Sequence, residues 1–216
     1  MNEITIYSDI GENFFGDGIT DQSVKDQLES MEGDISVRIN SGGGDVFHGF
    51  AIYNLLKQYD GNVTVKIDGL AASAASVIAM AGDTVEMGEA SMMMIHNPWT
   101  MAFGESSDLI KTAEVLDKIK DSIVDVYAIN TGIEKEEIAS MMDDETWLTA
   151  NESIEQGFAS KMVEGGAVHN ASRKWFKNAP KPTEQSDPDI EPVTEPVIEE
   201  KTPLLKIAAK AKLLSI

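Results

Sequence analysis

The chain has 216 residues, of which 42% are hydrophobic and 25% charged, a composition typical of one globular domain with a short appendage. Its formal net charge of -20 disfavours contact with phosphate backbones, so we expect no nucleic-acid partner. The absence of cysteine excludes disulfides and thiolate metal sites, and no segment has the pattern of a signal peptide or a membrane span.

Strand-like and helix-like segments alternate along residues 1–166. Runs rich in β-branched or apolar residues predict strands over residues 4–7, 35–39, 63–67 and 91–95. Apolar residues at helical spacing predict helices over residues 46–59, 73–81, 108–127, 133–142 and 151–156. This alternation predicts an α/β fold with mainly parallel strands.

The composition changes after the predicted domain. Six of the seven prolines lie between Pro180 and Pro203, interleaved with acidic residues, so residues 167–203 are expected to form an extended, disordered acidic linker. Residues 204–216 combine leucines and lysines at helical spacing. This short amphipathic segment either folds against a partner surface or is a frayed tail without function.

A glycine-rich loop, residues 40–45 (NSGGGD), lies between a predicted strand and a predicted helix. Glycines at residues 42–44 allow unusual backbone angles and let a ligand approach bare main-chain N–H groups. The loop lacks the Lys-Ser/Thr ending of a P-loop, and it is equally compatible with a plain structural turn.

Ser73 follows a predicted strand and opens an apolar helix in residues 69–76 (GLAASAAS). A serine at such a point is either a helix N-cap or a nucleophile beside backbone donors. A nucleophilic serine needs a base. Of the three histidines, His48 begins a helix and His169 borders the tail, whereas His96 ends an apolar strand in residues 92–98 (MMMIHNP). We therefore expect His96 to be the base, although a structural histidine would fit there too.

Carboxylates that could orient an imidazole occur in residues 143–145 (DDE), just before a predicted helix. Solvation of a helix end would explain the same residues. Together with Ser73, His96 and the glycine loop, they supply a hydroxyl, a base and an oxyanion cradle.

These segments resemble the ClpP-type serine peptidases. Residues 69–73 (GLAAS) resemble that family's G-x-A-A-S nucleophile motif, residues 94–98 (MIHNP) its M-I-H-x-P motif, and residues 39–44 (INSGGG) its I-N-S-P-G-G loop. The resemblance covers about residues 2–165. It implies the ClpP/crotonase-like spiral of ββα units, protein substrates and no cofactor or metal. It also implies ring oligomers, joined through the helix near residues 108–127 and a handle strand at residues 99–107.

The resemblance also implies roles for individual residues. Ser73 is the nucleophile, His96 the base, and the amides of Gly43 and Ala74 form the oxyanion hole. Residues 146–152 (TWLTANE) resemble the segment after the family's triad acid, which places Glu145 where the family has aspartate. Asp144, one residue earlier, is the alternative acid.

Two departures from the family pattern, together with residues 69–83 and 145–149, make the chain resemble the phage and prophage branch of the family. The first predicted strand begins almost at Met1, without an extension for axial loops, and the acidic tail is foreign to ATPase-partnered members. We therefore expect an ATP-independent endopeptidase without an ATPase partner, acting on capsid or scaffold proteins. Its expected location is the bacterial host cytoplasm, including assembling phage heads.

Two rival functions stay open. A catalytically inactive head-assembly or scaffold protein would work through its tail. A crotonase-like acyl-CoA enzyme would share the fold and the two-amide oxyanion hole but would not need the pair formed by Ser73 and His96. We expect Ser76, one helical turn after Ser73, to be a packed helix serine.

Overall fold

The computed structural model describes residues 2–12, 18–164 and 178, all within the compact unit Met1–Ala179. The elements of these residues follow one another in the order β1 (Asn2–Ile6), α1 (Asp21–Leu28), β2 (Ile35–Ser41), α2 (Val46–Lys57), β3 (Val63–Ala72), α3 (Ala74–Ala79), β4 (Thr84–Gly88), β5 (Met92–Ile95), α4 (Ser106–Thr131), α5 (Lys135–Asp143), β6 (Thr146–Thr149), α6 (Ala150–Glu155) and β7 (Lys161–Val163). The predicted linker, which includes His169, lies outside the described residues except for Asn178. The predicted amphipathic segment, residues 204–216, also lies outside them.

The main sheet confirms the predicted α/β fold with parallel strands. Its strands lie in the order β1-β2-β3-β4-β7, and every neighbouring pair is parallel. The inward side chains of β1, β2 and β3 are Ile and Val and are almost fully buried. Parallel strands need crossover connections, and the helices α1, α2 and α3 provide them while covering the apolar side chains.

β3 is longer than predicted: it does not end at Ile67 but continues through residues 68–72 (DGLAA). Its first half pairs with β4 and its second half, Leu70 to Ala72, pairs with β5. The alternating β-branched pattern stops at Ile67, which explains why the sequence predicted a shorter strand. The extension matters because it delivers the chain directly to Ser73.

The helices differ from prediction mainly at their ends. The predicted helix 73–81 is shorter, since α3 begins after Ser73 and ends at Ala79. The predicted helix 108–127 is longer in the structure, because α4 extends from Ser106 to Thr131 and is capped by Gly132, which adopts the left-handed conformation at φ 77°. α1 was not predicted, because only Val24 and Leu28 of its eight residues are buried and apolar.

Residues 99–105 do not form the strand expected from the family resemblance. They have no regular structure, and Trp99, Met101 and Phe103 are exposed. A strand needs hydrogen bonds to a neighbouring strand, and this segment pairs with none of the strands in the described chain. Among the described residues, no helix is long and apolar enough to cross a membrane.

Candidate active site

Four segments meet at one edge of the sheet. β2, β3 and β5 are parallel, so their carboxyl ends lie together and lead into the glycine loop, Ser73 and His96 respectively. β6 is antiparallel to β5, with Ile95 opposite Thr146. Glu145, which precedes Thr146, therefore lies beside His96, which follows Ile95.

Ser73 lies in a strained turn between β3 and α3. Its backbone has φ 56° and ψ -127°, a region that residues other than glycine rarely adopt. Its N–H donates to the carbonyl of Met94 at 3.0 Å, which fastens the turn to β5. Although Ser73 occupies the N-cap position of α3, its side chain makes no capping hydrogen bond.

The hydroxyl of Ser73 instead contacts His96. Ser73 Oγ lies 2.8 Å from His96 Nε2, a normal hydrogen-bond distance. With the ring proton on Nδ1, Nε2 accepts the Ser73 proton, which is the arrangement required for base-assisted attack by a hydroxyl.

The charge state of His96 is governed by burial. Desolvation lowers the pKa of His96 below its ordinary value of 6.5, because burial disfavours the imidazolium. The negative charge of Glu145 raises the pKa but has the smaller effect. The imidazole is therefore neutral at neutral pH, as a proton acceptor must be.

Glu145 is held beside His96 by its own contacts. It has φ 51°, the second positive φ of a non-glycine residue among the described residues. Its Oε1 accepts hydrogen bonds from Trp147 Nε1 at 3.2 Å and from the backbone N–H of Asn178 at 2.6 Å. These contacts hold the Glu145 carboxylate in place, and its charge raises the pKa of His96.

The two preceding carboxylates have other surroundings. Asp143 Oδ1 accepts from Asn97 Nδ2 at 2.7 Å and from Lys120 Nζ at 2.5 Å, and these hydrogen bonds lower the pKa of Asp143. Asp144 is the C-cap residue of α5 and is exposed. Of the two acids proposed from the sequence, Glu145 is the one whose charge acts on His96.

The glycine loop packs directly against the turn that contains Ser73. Gly43 has φ +92°, and a Cβ built on it would lie 2.7 Å from Ser73 Cβ and 2.6 Å from the carbonyl oxygen of Ala72. Both the backbone angle and the space therefore require glycine. The carbonyl of Gly43 accepts a hydrogen bond from the N–H of Ile10 at 2.8 Å. This contact ties the glycine loop to the segment that follows β1.

The two predicted oxyanion donors differ in their present contacts. The N–H of Gly43 donates to Ser41 Oγ at 3.1 Å, and Ser41 Oγ donates to the carbonyl of Ser8 at 2.7 Å. The N–H of Ala74, at the start of α3, donates to no acceptor in the described part of the chain. The N–H of Ala74 is thus free to donate to an oxyanion beside Ser73. The N–H of Gly43 could do so only by sharing or giving up its hydrogen bond to Ser41 Oγ.

A cavity of about 840 Å³ opens onto Ser73 and His96. One wall consists of apolar side chains from α3 and α4, namely Val77, Val115, Leu116, Ile119 and Ile123. The lining also includes the three glycines of the glycine loop and three acidic residues, Asp9, Glu12 and Asp45. No lysine or arginine is among the described residues that line the cavity.

Comparison with known proteins shows to which family the chain belongs. The model of the Clp protease family matches residues 2–166. The chain belongs to the Clp protease family. A relative from Bacteroides fragilis, an ATP-dependent Clp protease proteolytic subunit, is 33% identical over 132 residues, which are 60% of this chain and 64% of that protein.

Other members of the Clp protease family show the same likeness. An ATP-dependent Clp protease proteolytic subunit 1 from Chlamydia abortus is 34% identical over 156 residues, covering 67% of this chain and 81% of that protein. The solved structure of a ClpP1 point mutant from Listeria monocytogenes matches with a TM-score of 0.66 and 26% identity, over 76% of this chain and 92% of that one. This match confirms the ClpP-like fold expected from the motifs. The chain spans about 60–64% of the length of the Bacteroides relatives that it matches.

Two further residues considered in the sequence lie away from the reacting atoms. His48 contacts Asp21 through Nδ1 at 2.5 Å on the outer side of α2. Ser76 is fully buried and hydrogen-bonded, as expected of a packed helix serine. No cluster of three or more histidine or acidic side chains suited to a metal ion occurs in the residues described by the structure.

The sequence did not reveal Ser41, Asn97 and Tyr127, which contact the site from outside. Ser41 was part of the glycine-loop motif, but its hydrogen bond to the Gly43 amide depends on the fold of the loop. Tyr127 is separated from Ser76 by 51 positions, so no local pattern could connect them.

Proposed function

We propose that this Clp protease family member is a serine endopeptidase with Ser73 as nucleophile, His96 as general base and Glu145 as the triad acid. The hydrogen bond of 2.8 Å between Ser73 Oγ and His96 Nε2 is the observation that carries the proposal. The half-buried, neutral imidazole and the strained turn that holds Ser73 support it.

The reaction is an acyl transfer. His96 Nε2 takes the hydroxyl proton as Ser73 Oγ bonds to the substrate carbonyl carbon, and the carbonyl oxygen becomes an oxyanion. The N–H groups of Ala74 and Gly43 donate to this oxyanion, with Gly43 giving up or sharing its contact to Ser41. His96 then donates the proton to the leaving nitrogen as the C–N bond breaks, and water hydrolyses the acyl-enzyme by the reverse route.

Glu145 stabilises the imidazolium that forms during each proton transfer. A carboxylate near the ring favours the charged state only modestly in the resting enzyme, because burial of His96 acts in the opposite direction. Because the effect of burial is the larger one, His96 stays unprotonated before the attack. The charge of Glu145 still lowers the free energy needed to protonate His96 in the transition state.

The cavity indicates which substrates suit the site. Its apolar wall favours large hydrophobic side chains next to the scissile bond. Asp9, Glu12 and Asp45 in the same lining, without a cation among the described lining residues, favour neighbouring segments with positive charge. We expect protein substrates and self-association into rings.

The test is labelling with a fluorophosphonate probe, which bonds covalently to an activated serine. The wild-type protein should be labelled once per chain and should cleave an unfolded protein substrate. Ser73→Ala should lose both labelling and cleavage while keeping its assembly state. Ser91→Ala, a buried serine that donates to the carbonyl of Gly88, is the matched control and should behave as wild type.

The same experiment separates the rival functions. A crotonase-like acyl-CoA enzyme would not need an activated serine, so absence of labelling together with binding of acyl-CoA would favour it. An inactive scaffold protein would be neither labelled nor proteolytic, and its function would depend on residues 180–216 rather than on Ser73.

The narrower role that we propose is cleavage of capsid or scaffold proteins in phage head maturation, without ATP, in the host cytoplasm. It is supported by the resemblance of residues 69–83 and 145–149 to the phage and prophage branch. Co-expression with the products of neighbouring genes, followed by intact-mass measurement for the wild type and Ser73→Ala, would identify the target. Cleavage that requires ATP and an unfoldase would contradict this role but not the peptidase mechanism.

A further inference from the structure

Both polar groups of the Ser73 backbone, the N–H and the carbonyl, form hydrogen bonds with neighbouring residues. Its N–H donates to the carbonyl of Met94 at 3.0 Å. Its own carbonyl accepts from Ser76 Oγ at 2.6 Å and from the N–H of Ser76 at 3.0 Å. Ser76 Oγ also lies 3.0 Å from the carbonyl of Met94. The hydroxyl of Ser76 therefore bridges the two carbonyls that define the strained turn.

Tyr127 completes this network from α4. Its hydroxyl lies 2.8 Å from Ser76 Oγ, and the side chain is buried. Carbonyl oxygens only accept hydrogen bonds, so the single proton of the Ser76 hydroxyl is needed for Ser73 and Met94. Tyr127 must then donate its proton to Ser76 Oγ. Burial raises the pKa of Tyr127, so this proton is retained at every pH at which the protein would be assayed.

The tyrosine ring is itself fixed. It packs edge-to-face against Phe158, with the ring centroids 5.6 Å apart. Tyr127 also lines the cavity that opens onto Ser73 and His96. The network thus connects the wall of the cavity, formed by α4, with the turn that presents the nucleophile.

A strained turn needs such support. A residue other than glycine stays in this region of backbone angles only where its surroundings leave it no alternative. The hydrogen bonds of Ser76 act on both sides of Ser73, and Tyr127 orients the Ser76 hydroxyl. Small changes in the turn would move Ser73 Oγ away from His96 Nε2, because the reacting contact depends on the Ser73 backbone.

We propose that Ser76 and Tyr127 are positioning residues that hold Ser73 in its strained turn and keep its hydroxyl within reach of His96. This inference rests on the proposed function, in which Ser73 is the nucleophile. It assigns Ser76 a role in the reaction beyond that of a packed helix serine.

The experiment compares Ser76→Ala, Tyr127→Phe and the double variant by their rate of fluorophosphonate labelling and by kcat and KM for peptide cleavage. Tyr127→Phe, which loses one hydrogen bond, should slow labelling and lower kcat by about five- to tenfold, and Ser76→Ala, which loses the whole bridge, should do so at least as much. KM should stay unchanged, because the cavity walls are intact. Because Tyr127 acts through Ser76, the double variant should be no slower than Ser76→Ala.

Two control variants remove comparable hydrogen bonds elsewhere. Ser91 is a buried serine that donates to the carbonyl three residues earlier, as Ser76 does, and Tyr59 donates its hydroxyl proton to the carbonyl of Gly33. Ser91→Ala and Tyr59→Phe should label within about twofold of the wild-type rate. Equal losses in the controls would show a general effect on stability and would overturn the proposal.

Wild-type labelling rates in both Ser76→Ala and Tyr127→Phe would also overturn it. If the wild-type protein itself is not labelled, the proposed function fails, and crystal structures of the two variants decide the positioning role. In them, Ser73 should leave the left-handed region or its Oγ should lie more than about 3.5 Å from His96 Nε2. An unchanged turn in both structures would contradict the inference.

Discussion

His96 experiences two opposing influences that set the pH dependence of the reaction. Burial lowers its pKa and the charge of Glu145 raises it, with burial the larger effect. Since the base must be unprotonated, kcat/KM should rise with pH as His96 loses its proton, with a midpoint below 6.5. A pH–rate profile checks this, and a midpoint above 6.5 or a flat profile from pH 5 to 8 would argue against His96 as base.

Glu145→Gln tests the second influence. The substitution removes the negative charge that raises the pKa of His96, so the midpoint should shift to lower pH. The plateau should fall by roughly 10²- to 10⁴-fold, because the imidazolium loses its stabilising carboxylate. Asp144→Asn is the matched control, since its side chain is exposed and one position away. A larger effect of Asp144→Asn would make Asp144 the triad acid.

Gly43 is the residue at which space and backbone angle both exclude a side chain. Gly43→Ala should reduce fluorophosphonate labelling by about 100-fold or more, because the new Cβ collides with Ser73 and the Ala72 carbonyl. Gly33→Ala is the control, since Gly33 has φ +73° but no atom within 4 Å of the position that a Cβ would occupy. It should cost about 1–2 kcal/mol of stability from the positive φ and leave labelling unchanged.

Ser73 and His96 could be singled out as candidates because each follows a predicted strand within a recognisable run of residues, whereas Glu145 was implied by the family resemblance. Ser73 and His96 were expected to converge, and their side chains lie 2.8 Å apart. The contacts that hold them could not be predicted. The hydrogen bond of Tyr127 to Ser76 and that of Asn97 to Asp143 join residues 51 and 46 positions apart, and such pairs depend on packing rather than on local sequence.

At the scale of elements, Asp143 joins three parts of the chain. Its carboxylate, at the end of α5, accepts hydrogen bonds from Asn97 in the segment after β5 and from Lys120 of α4. Asp143→Ala should therefore loosen the segment that carries His96 and lower kcat several-fold. Because the group is exposed, the free energy of unfolding should fall by only about 1 kcal/mol.

The pH profile distinguishes this effect from loss of the triad acid. Asp143 is not among the groups that shift the pKa of His96, so the midpoint should stay unchanged in Asp143→Ala. A shifted midpoint would show that the Asp143 charge reaches the imidazole. Urea unfolding and the pH–rate profile of the same preparation provide both measurements.

The boundaries of some elements could not be predicted from sequence patterns. Alternating β-branched residues identified the start of β3 but not its extension to Ala72, since small residues carry no strand signal and are buried by neighbours distant in sequence. α1 escaped prediction because its stability depends on the capping box of Thr20 and Ser23 and on two buried side chains. Tertiary contacts thus decided the extension of β3, whereas α1 depends on a local cap as well as on its two buried side chains.

At the scale of the whole molecule, the surface of the single chain exposes an apolar stretch. Met101 is 78% and Phe103 95% exposed in the segment after His96, and Leu109 and Ile110 are exposed on the adjoining first turns of α4. Large side chains grouped in this way mark association surfaces. The self-association that we propose would bury these side chains if the subunits are joined through this stretch.

The variant Met101→Lys/Phe103→Lys tests this surface. Each large apolar side chain contributes about 1.5–3 kcal/mol when fully buried, and a lysine in its place would carry an unpaired charge into the interface. Sedimentation velocity should therefore show a shift from large assemblies to smaller species. Ile129→Lys is the control, because Ile129 is 79% exposed near the opposite end of α4. If Ile129→Lys dissociated the assembly and the double variant did not, the association surface would lie at the carboxyl end of α4 instead.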